Sequence, residues 1–107
     1  MSKIPEFVSK PTNEAFKPLN PYALTVDGML SDDYKERFKA EYQQLKIRVD
    51  KLNAFCNKIE AAFESEKKMD VPKHDCAYPL LIRQLGTMRE YLHILEVRAV
   101  IEGIDLQ

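Results

Sequence analysis

The chain has 107 residues, the length of one small domain. Its 16 Lys and Arg residues nearly balance 17 Asp and Glu residues, for a formal net charge of −1, and no segment has the basic excess that is typical of proteins that bind long nucleic acids. No apolar run approaches the ~20 residues of a membrane span, and early prolines interrupt any signal-peptide core. We therefore expect a cytoplasmic protein without a membrane partner.

Residues 1–30 are predicted to form an N-terminal Pro-rich arm, separate from a helical domain over 31–107. Four prolines within the first 21 residues fix φ and favour extended backbone before each of them. Apolar side chains are nevertheless frequent here, whereas disordered tails usually lack them. We predict an extended arm, with a short helical turn near 12–17, that packs on a helical surface of its own or a neighbouring chain.

The longest predicted element is a helix over about 32–66. Ser31 and the acidic pair after it suit a helix start. Its apolar residues recur in alternating steps of four and three, which is a heptad pattern. This first seam consists of Phe38, Tyr42, Leu45, Val49, Leu52, Cys56, Ile59 and Phe63. Such a helix would be ~50 Å long, so it must find a partner along its length.

A second helix is predicted over about 79–102, with Pro79 in its first turn and Gly103 after its end. Its seam follows the same spacing: Leu81, Leu85, Met88, Leu92, Leu95 and Ala99. The polar connection contains Pro72, so the two helices can fold back on each other. The predicted fold class is therefore all-α, an antiparallel helical hairpin whose longer first helix overhangs the second.

Apolar residues outside the two seams suggest a further contact. One group on each helix lies off the seam: Ala40, Ile47, Ala54 and Ala61 on the first, and Tyr91, Ile94, Val97 and Ile101 on the second. Either the N-terminal arm covers these residues within a monomer, or the chain self-associates. We favour a symmetric oligomer.

No catalytic motif stands out, so we expect a binding protein rather than an enzyme. The three glycines are isolated and form no phosphate-binding loop. His74, Cys76 and His93 have no standard zinc spacing, and we predict no metal or cofactor; a small metal-dependent enzyme is the least favoured alternative. Cys56 lies on the seam and is expected to be a buried, reduced thiol, although a bond to Cys76 is geometrically possible.

Several side chains suit a flat, anionic ligand, because aromatic rings stack on bases and cations bind phosphates. They are Tyr42, Gln43, Lys46, Arg48, Lys58, Arg83, Arg89 and Arg98. Each also has an ordinary structural interpretation. Tyr42 falls on the seam, and Arg98 can pair with Glu102 one turn later. Spacing alone therefore selects no ligand.

A pattern of residues across about 36–102 resembles that of a known family, and this resemblance suggests a ligand. The pattern is Glu41-Tyr42-Gln43-Gln44-Leu45, Arg48, Lys51-Leu52 and Phe55, and after a loop Leu80-Leu81, Gln84-Leu85, Met88, Tyr91-Leu92, Leu95 and Arg98. It resembles the phage hairpin domain shared by the cyclic-nucleotide sponges that counter CBASS and Thoeris immunity. Among these, it is most similar to the second anti-CBASS type.

The resemblance implies a hexamer in the host cytoplasm that sequesters cyclic dinucleotides such as 3′,3′-cGAMP without cleaving them. Tyr42 matches the family's base-stacking tyrosine, and Lys58, or Asn57 with a one-residue shift, matches its phosphate-binding lysine. Gln43 stands where the family often has Asn. With Arg98, it would serve a second pocket for cyclic trinucleotides.

Helix geometry adds two expectations. Tyr42 and Lys58 are 16 residues apart, or ~24 Å along one helix, so they could share a ligand only between two antiparallel chains. Gln43 and Arg98 should lie near each other at the open end of one hairpin. The alternative to a sponge is a small helical interaction protein that binds a host or phage protein.

Overall fold

The computed structural model describes residues 20–67 and 69–107, and within these ranges the fold is all-helical. The elements are a 3₁₀ helix at Pro21–Thr25, a short helix α1 at Val26–Met29, and the long helices α2 at Tyr34–Glu64 and α3 at Tyr78–Glu102. The predicted all-α hairpin is confirmed. The helical turn predicted near 12–17 lies outside the described residues. No helix in the described ranges is both long and apolar enough to cross a membrane.

The ends of the long helices follow from local backbone chemistry. α2 begins at Tyr34, two residues later than predicted, because the Asp33 side chain caps it by accepting a hydrogen bond from the Lys35 amide at 2.9 Å. It ends at Glu64, where Ser65 adopts extended backbone. α3 begins at Tyr78, and Gly103 ends it with a left-handed φ of 69°.

Hydrogen bonds between the long helices show that they run antiparallel. The Tyr34 hydroxyl donates to Glu102 at 2.6 Å, and that of Tyr42 to Glu96 at 3.0 Å. At the other end, Tyr78 donates to Glu60 at 3.4 Å. An early position on α2 thus faces a late position on α3, as a hairpin requires.

The two seams form the core of the hairpin. The buried core cluster consists of Phe38, Leu45, Val49, Cys56, Leu85, Leu95, Ala99 and Ile104. Ile104 follows the helix end, where its amide bonds back to the Ala99 carbonyl at 2.9 Å. Phe63 is an exception to the predicted seam, because its side chain is 61% exposed near the end of α2.

Residues 21–30, here called the N-terminal segment, pack across α2 outside the hairpin seam. Thr25 is buried; its hydroxyl donates to the Tyr22 carbonyl at 2.7 Å and accepts from the Gln44 amide at 2.8 Å. Gly28 approaches α2 so closely that an added Cβ would lie 2.9 Å from the Ala40 Cβ. The N-terminal segment therefore covers Ala40, the first of the off-seam apolar residues of α2, while Ala54 and Ala61 stay exposed.

Gly28→Ala should loosen the N-terminal segment, because the new methyl group overlaps Ala40. Overpacking of this kind typically costs ~1–3 kcal/mol. We expect faster hydrogen exchange of the amides of residues 21–30, with little change in α3. Gly86→Ala is the matched control, since its added Cβ meets nothing within 4 Å, and it should stabilise α3 by up to ~1 kcal/mol. Equal exchange in both variants would contradict the close packing.

Candidate ligand-binding site

An open groove of about 520 Å³ lies between the N-terminal segment and α2. Its size falls within the range of small-molecule sites. The lining residues come from both elements: Pro21, Leu24 and Thr25 from the segment, and Tyr42, Gln43, Lys46 and Ile47 from α2. We call this the Tyr42 groove. It combines apolar walls with one aromatic ring, one amide and one ammonium group.

Tyr42 serves the core and the groove at the same time. Its ring packs against the buried cluster, and its hydroxyl donates to Glu96 across the hairpin. Burial, followed by this hydrogen bond, raises the pKa of the Tyr42 phenol. The hydroxyl thus stays protonated at neutral pH, and the hydrogen bond holds the ring in place. Tyr42 therefore packs in the core, as its position on the first seam suggested. Its half-buried ring also lines the groove.

Two further α2 side chains complete the polar part of the Tyr42 groove. Gln43 is half-buried there, beside Lys46. The Lys46 ammonium pairs with Asp50 at 3.0 Å, but both side chains are largely exposed. An exposed pair of this kind is worth little, so an anionic ligand can compete for the lysine.

Lys46 was among the candidate side chains for an anionic ligand, but sequence reasoning did not assign it to a pocket. It lies one helical turn after Tyr42, and this i,i+4 spacing is the signal that could have selected it. Lys58 and Asn57 are exposed on the far half of α2 and do not line the Tyr42 groove. Their predicted role therefore concerns a contact between chains and stays a prediction.

Arg98 lies outside the Tyr42 groove, in a cluster where the start of α2 packs against the end of α3. Its Nε bonds to Glu102 at 2.9 Å, and its guanidinium carbon lies 4.9 Å from the centroid of the Phe38 ring. It also donates to the Tyr34 hydroxyl, which in turn donates to Glu102. The hydrogen bonds from Tyr34 and then Arg98 lower the pKa of the Glu102 carboxyl.

The structure thus contains the Arg98–Glu102 ion pair, which the sequence suggested as the structural role of this arginine. Gln43 lines the Tyr42 groove, whereas Arg98 contacts Tyr34, Phe38 and Glu102. A trinucleotide pocket that uses both residues stays a prediction.

The histidines and cysteines of the described residues form no metal-binding group. The His74 Nδ1 lies 2.7 Å from the Pro72 carbonyl, and its ring meets Phe55 edge-on. Cys56 is buried and Cys76 exposed, and both thiols are free. Within residues 20–67 and 69–107, no three His, Cys, Asp or Glu side chains are grouped so that they could hold a metal ion.

Comparison with known protein families gives a match over most of the helical hairpin. The sequence model of a family described as Sequestin matches residues 32–101, which include α2 and nearly all of α3. The N-terminal segment lies outside that match. No curated protein and no solved structure matches the chain significantly. The family name indicates a sequestering role, and because the match covers more than half of the chain, this protein belongs to the Sequestin family.

Proposed function

We propose that this protein is a phage anti-defence sponge that binds cyclic oligonucleotide second messengers such as 3′,3′-cGAMP and thereby blocks CBASS immunity. The observation that carries the proposal is the Tyr42 groove, where an aromatic ring, an amide and an ammonium group share one open cavity. The family name supports sequestration as the mode of action. The resemblance to anti-CBASS sponges supports the choice of ligand.

The Tyr42 groove offers side chains that suit the bases and the phosphates of a cyclic dinucleotide. A base stacks on the Tyr42 ring, since every base has a π-face and stacking tolerates sequence. The Gln43 amide can both donate to and accept from a base edge. Lys46 offers charge to a phosphate, and Lys58 of a second chain adds another. The protein acts by binding alone and is not an enzyme.

Self-association completes the proposed site. Four branched side chains form an exposed stripe on the last turns of α3, here called the α3 apolar face: Ile94, Val97, Val100 and Ile101. The exposed fractions of these side chains run from 44% to 83%. A contiguous apolar patch of this kind is typical of a surface that contacts another protein. We propose that this face packs against copies of the chain in a symmetric hexamer.

The symmetry of such an assembly matches that of the ligands. A two-fold interface pairs Tyr42 of one chain with Lys58 of another, which suits a two-fold cyclic dinucleotide. A three-fold axis would bring together three copies of Gln43 and Arg98 for a cyclic trinucleotide. Bound messenger is unavailable to the host effector, so immunity stays off while sponge sites outnumber messenger molecules.

A release assay tests this function directly. Purified protein is incubated with 3′,3′-cGAMP and filtered, and the filtrate is analysed before and after protease digestion of the retained protein. We expect depletion from the filtrate followed by recovery of intact nucleotide. Recovery of only linear product would instead identify an enzyme. Absence of depletion across a panel of cyclic di- and trinucleotides would refute the sponge.

The α3 apolar face also favours a second candidate function, a helical interaction protein that binds a host or phage protein. The same stripe would then contact a protein partner of different sequence. The oligomeric state distinguishes the two candidates. A monomer in solution favours the partner protein, whereas a hexamer that retains cyclic nucleotide favours the sponge.

A further inference from the structure

Two cations of α2 converge on one aromatic ring on the other side of the 3₁₀ helix from the Tyr42 groove. The Arg48 guanidinium carbon lies 5.1 Å from the centroid of the Tyr22 ring, and the Lys51 ammonium lies 5.2 Å from it. Both distances are within the range of a cation–π contact. The N-terminal segment thus holds two positive charges beside one another.

Within residues 20–67 and 69–107, neither Arg48 nor Lys51 has a carboxylate as an ion-pair partner. Three other cations of the long helices pair with carboxylates about one turn away: Lys39, Lys46 and Arg98. The positions three and four residues before and after each of Arg48 and Lys51 carry no acidic residue. Apart from Arg48 and Lys51 themselves, which are three residues apart, they hold Gln44 and apolar residues. Glu41 shares a neighbouring groove with Arg48, but its carboxylate accepts the Tyr91 hydroxyl.

Arg48 and Lys51 therefore repel each other, and no carboxylate of the described residues pairs with either of them. Residues three apart lie on the same side of a helix, and like charges there destabilise it. The Tyr22 ring offsets part of this repulsion, because the face of the ring is negative. An anion that contacts both cations would remove the rest, and a doubly charged anion would do so best.

A concave surface is present at the same place. A groove of about 310 Å³ is lined by residues of the 3₁₀ helix, α2 and α3: Tyr22, Arg48, Lys51, Leu52, Gln84 and Met88. The Gln84 amide can donate a further hydrogen bond to a bound oxygen. Leu52 and Met88 form the apolar part of the lining. The volume suits a phosphate group with a small organic moiety attached.

We propose that Arg48 and Lys51 form a second ligand site that binds a phosphate dianion, either inorganic phosphate or the terminal phosphate of a mononucleotide. The site is separate from the Tyr42 groove, because the two share no lining residue. Tyr22 positions both cations, and it comes from the segment outside the Sequestin match. A phosphate site at Arg48 and Lys51 is therefore independent of the proposed sequestration of cyclic nucleotides.

Calorimetric titrations of the full-length protein at low ionic strength test the site, with sodium phosphate in one arm and AMP in the other. Equal affinity for both ligands would mean that only the phosphate is bound, and tighter binding of AMP would mean that the groove also holds the nucleoside. Arg48→Gln and Lys51→Gln should each weaken binding at least tenfold, and Tyr22→Leu should weaken it without removing a charge. Added salt should weaken wild-type binding.

Lys35→Gln is the matched control, because it removes one exposed positive charge of α2 far from Tyr22. It should bind phosphate like the wild type. All variants alter surface or half-buried side chains, and circular dichroism verifies their helix content. Wild-type protein that binds neither ligand saturably would overturn the proposal, as would variants of Arg48 and Lys51 that bind like Lys35→Gln. Neither result bears on the release assay with cyclic dinucleotide.

Discussion

Tyr42→Ala should weaken binding of 3′,3′-cGAMP by ~1–3 kcal/mol, or roughly 5- to 150-fold, because it removes the ring on which a base stacks. The ring is already held in place by the core and by the hydrogen bond to Glu96, so little is lost in ordering it when ligand binds. Titration calorimetry on wild-type protein and variant measures the difference. Sedimentation of both proteins must show the same assembly for the comparison to hold.

Tyr42→Phe separates stacking from the hydroxyl. This variant keeps the ring but removes the donor to Glu96, so its affinity should stay within a few-fold of wild type. A loss as large as that of Tyr42→Ala would show that the hydroxyl, and not the ring face, makes the important contact. If Tyr42→Ala binds as tightly as wild type in an intact assembly, the Tyr42 groove is not the ligand site.

Much of the hairpin follows from sequence periodicity, because each seam residue had to face the partner helix. Leu45, Val49 and Leu95 are buried as predicted. Phe63 is not, although it continues the same spacing, because near the end of α2 the partner helix no longer covers the seam. Periodicity states which side of a helix is apolar, but the length of the partner decides how far that side is buried.

The Tyr42 groove could be predicted only in part, because one of its walls comes from residues remote in sequence. Tyr42 and Gln43 were identified through the resemblance. The opposite wall depends on the Thr25–Gln44 hydrogen bond and on the close approach of Gly28 to Ala40, which no helical repeat encodes. Lys46 has the right spacing from Tyr42, yet only the groove distinguishes it from the other lysines on α2.

Ile101→Glu should dissociate the proposed hexamer while leaving the hairpin folded. The Ile101 side chain is 77% exposed in the single chain, so a charge there costs little in the monomer. In an assembly that buries the α3 apolar face, the same carboxylate would lose its water without gaining a partner, which costs several kcal/mol per site. Sedimentation velocity should therefore show a smaller species with unchanged helix content by circular dichroism.

Gln107→Glu is the matched control, since it adds the same charge at the same end of the molecule but beyond α3, and it should assemble like the wild type. Wild-type protein that sediments as a monomer would refute the assembly outright.

The ligand affinity of Ile101→Glu shows whether the ligand site lies within one chain or between two chains. If Lys58 of a second chain contributes, the dissociated variant should bind cyclic dinucleotide far more weakly although its Tyr42 groove is intact. A dissociated variant that still binds like wild type would place the whole site in one chain, with Lys46 rather than Lys58 as the cation for the phosphate.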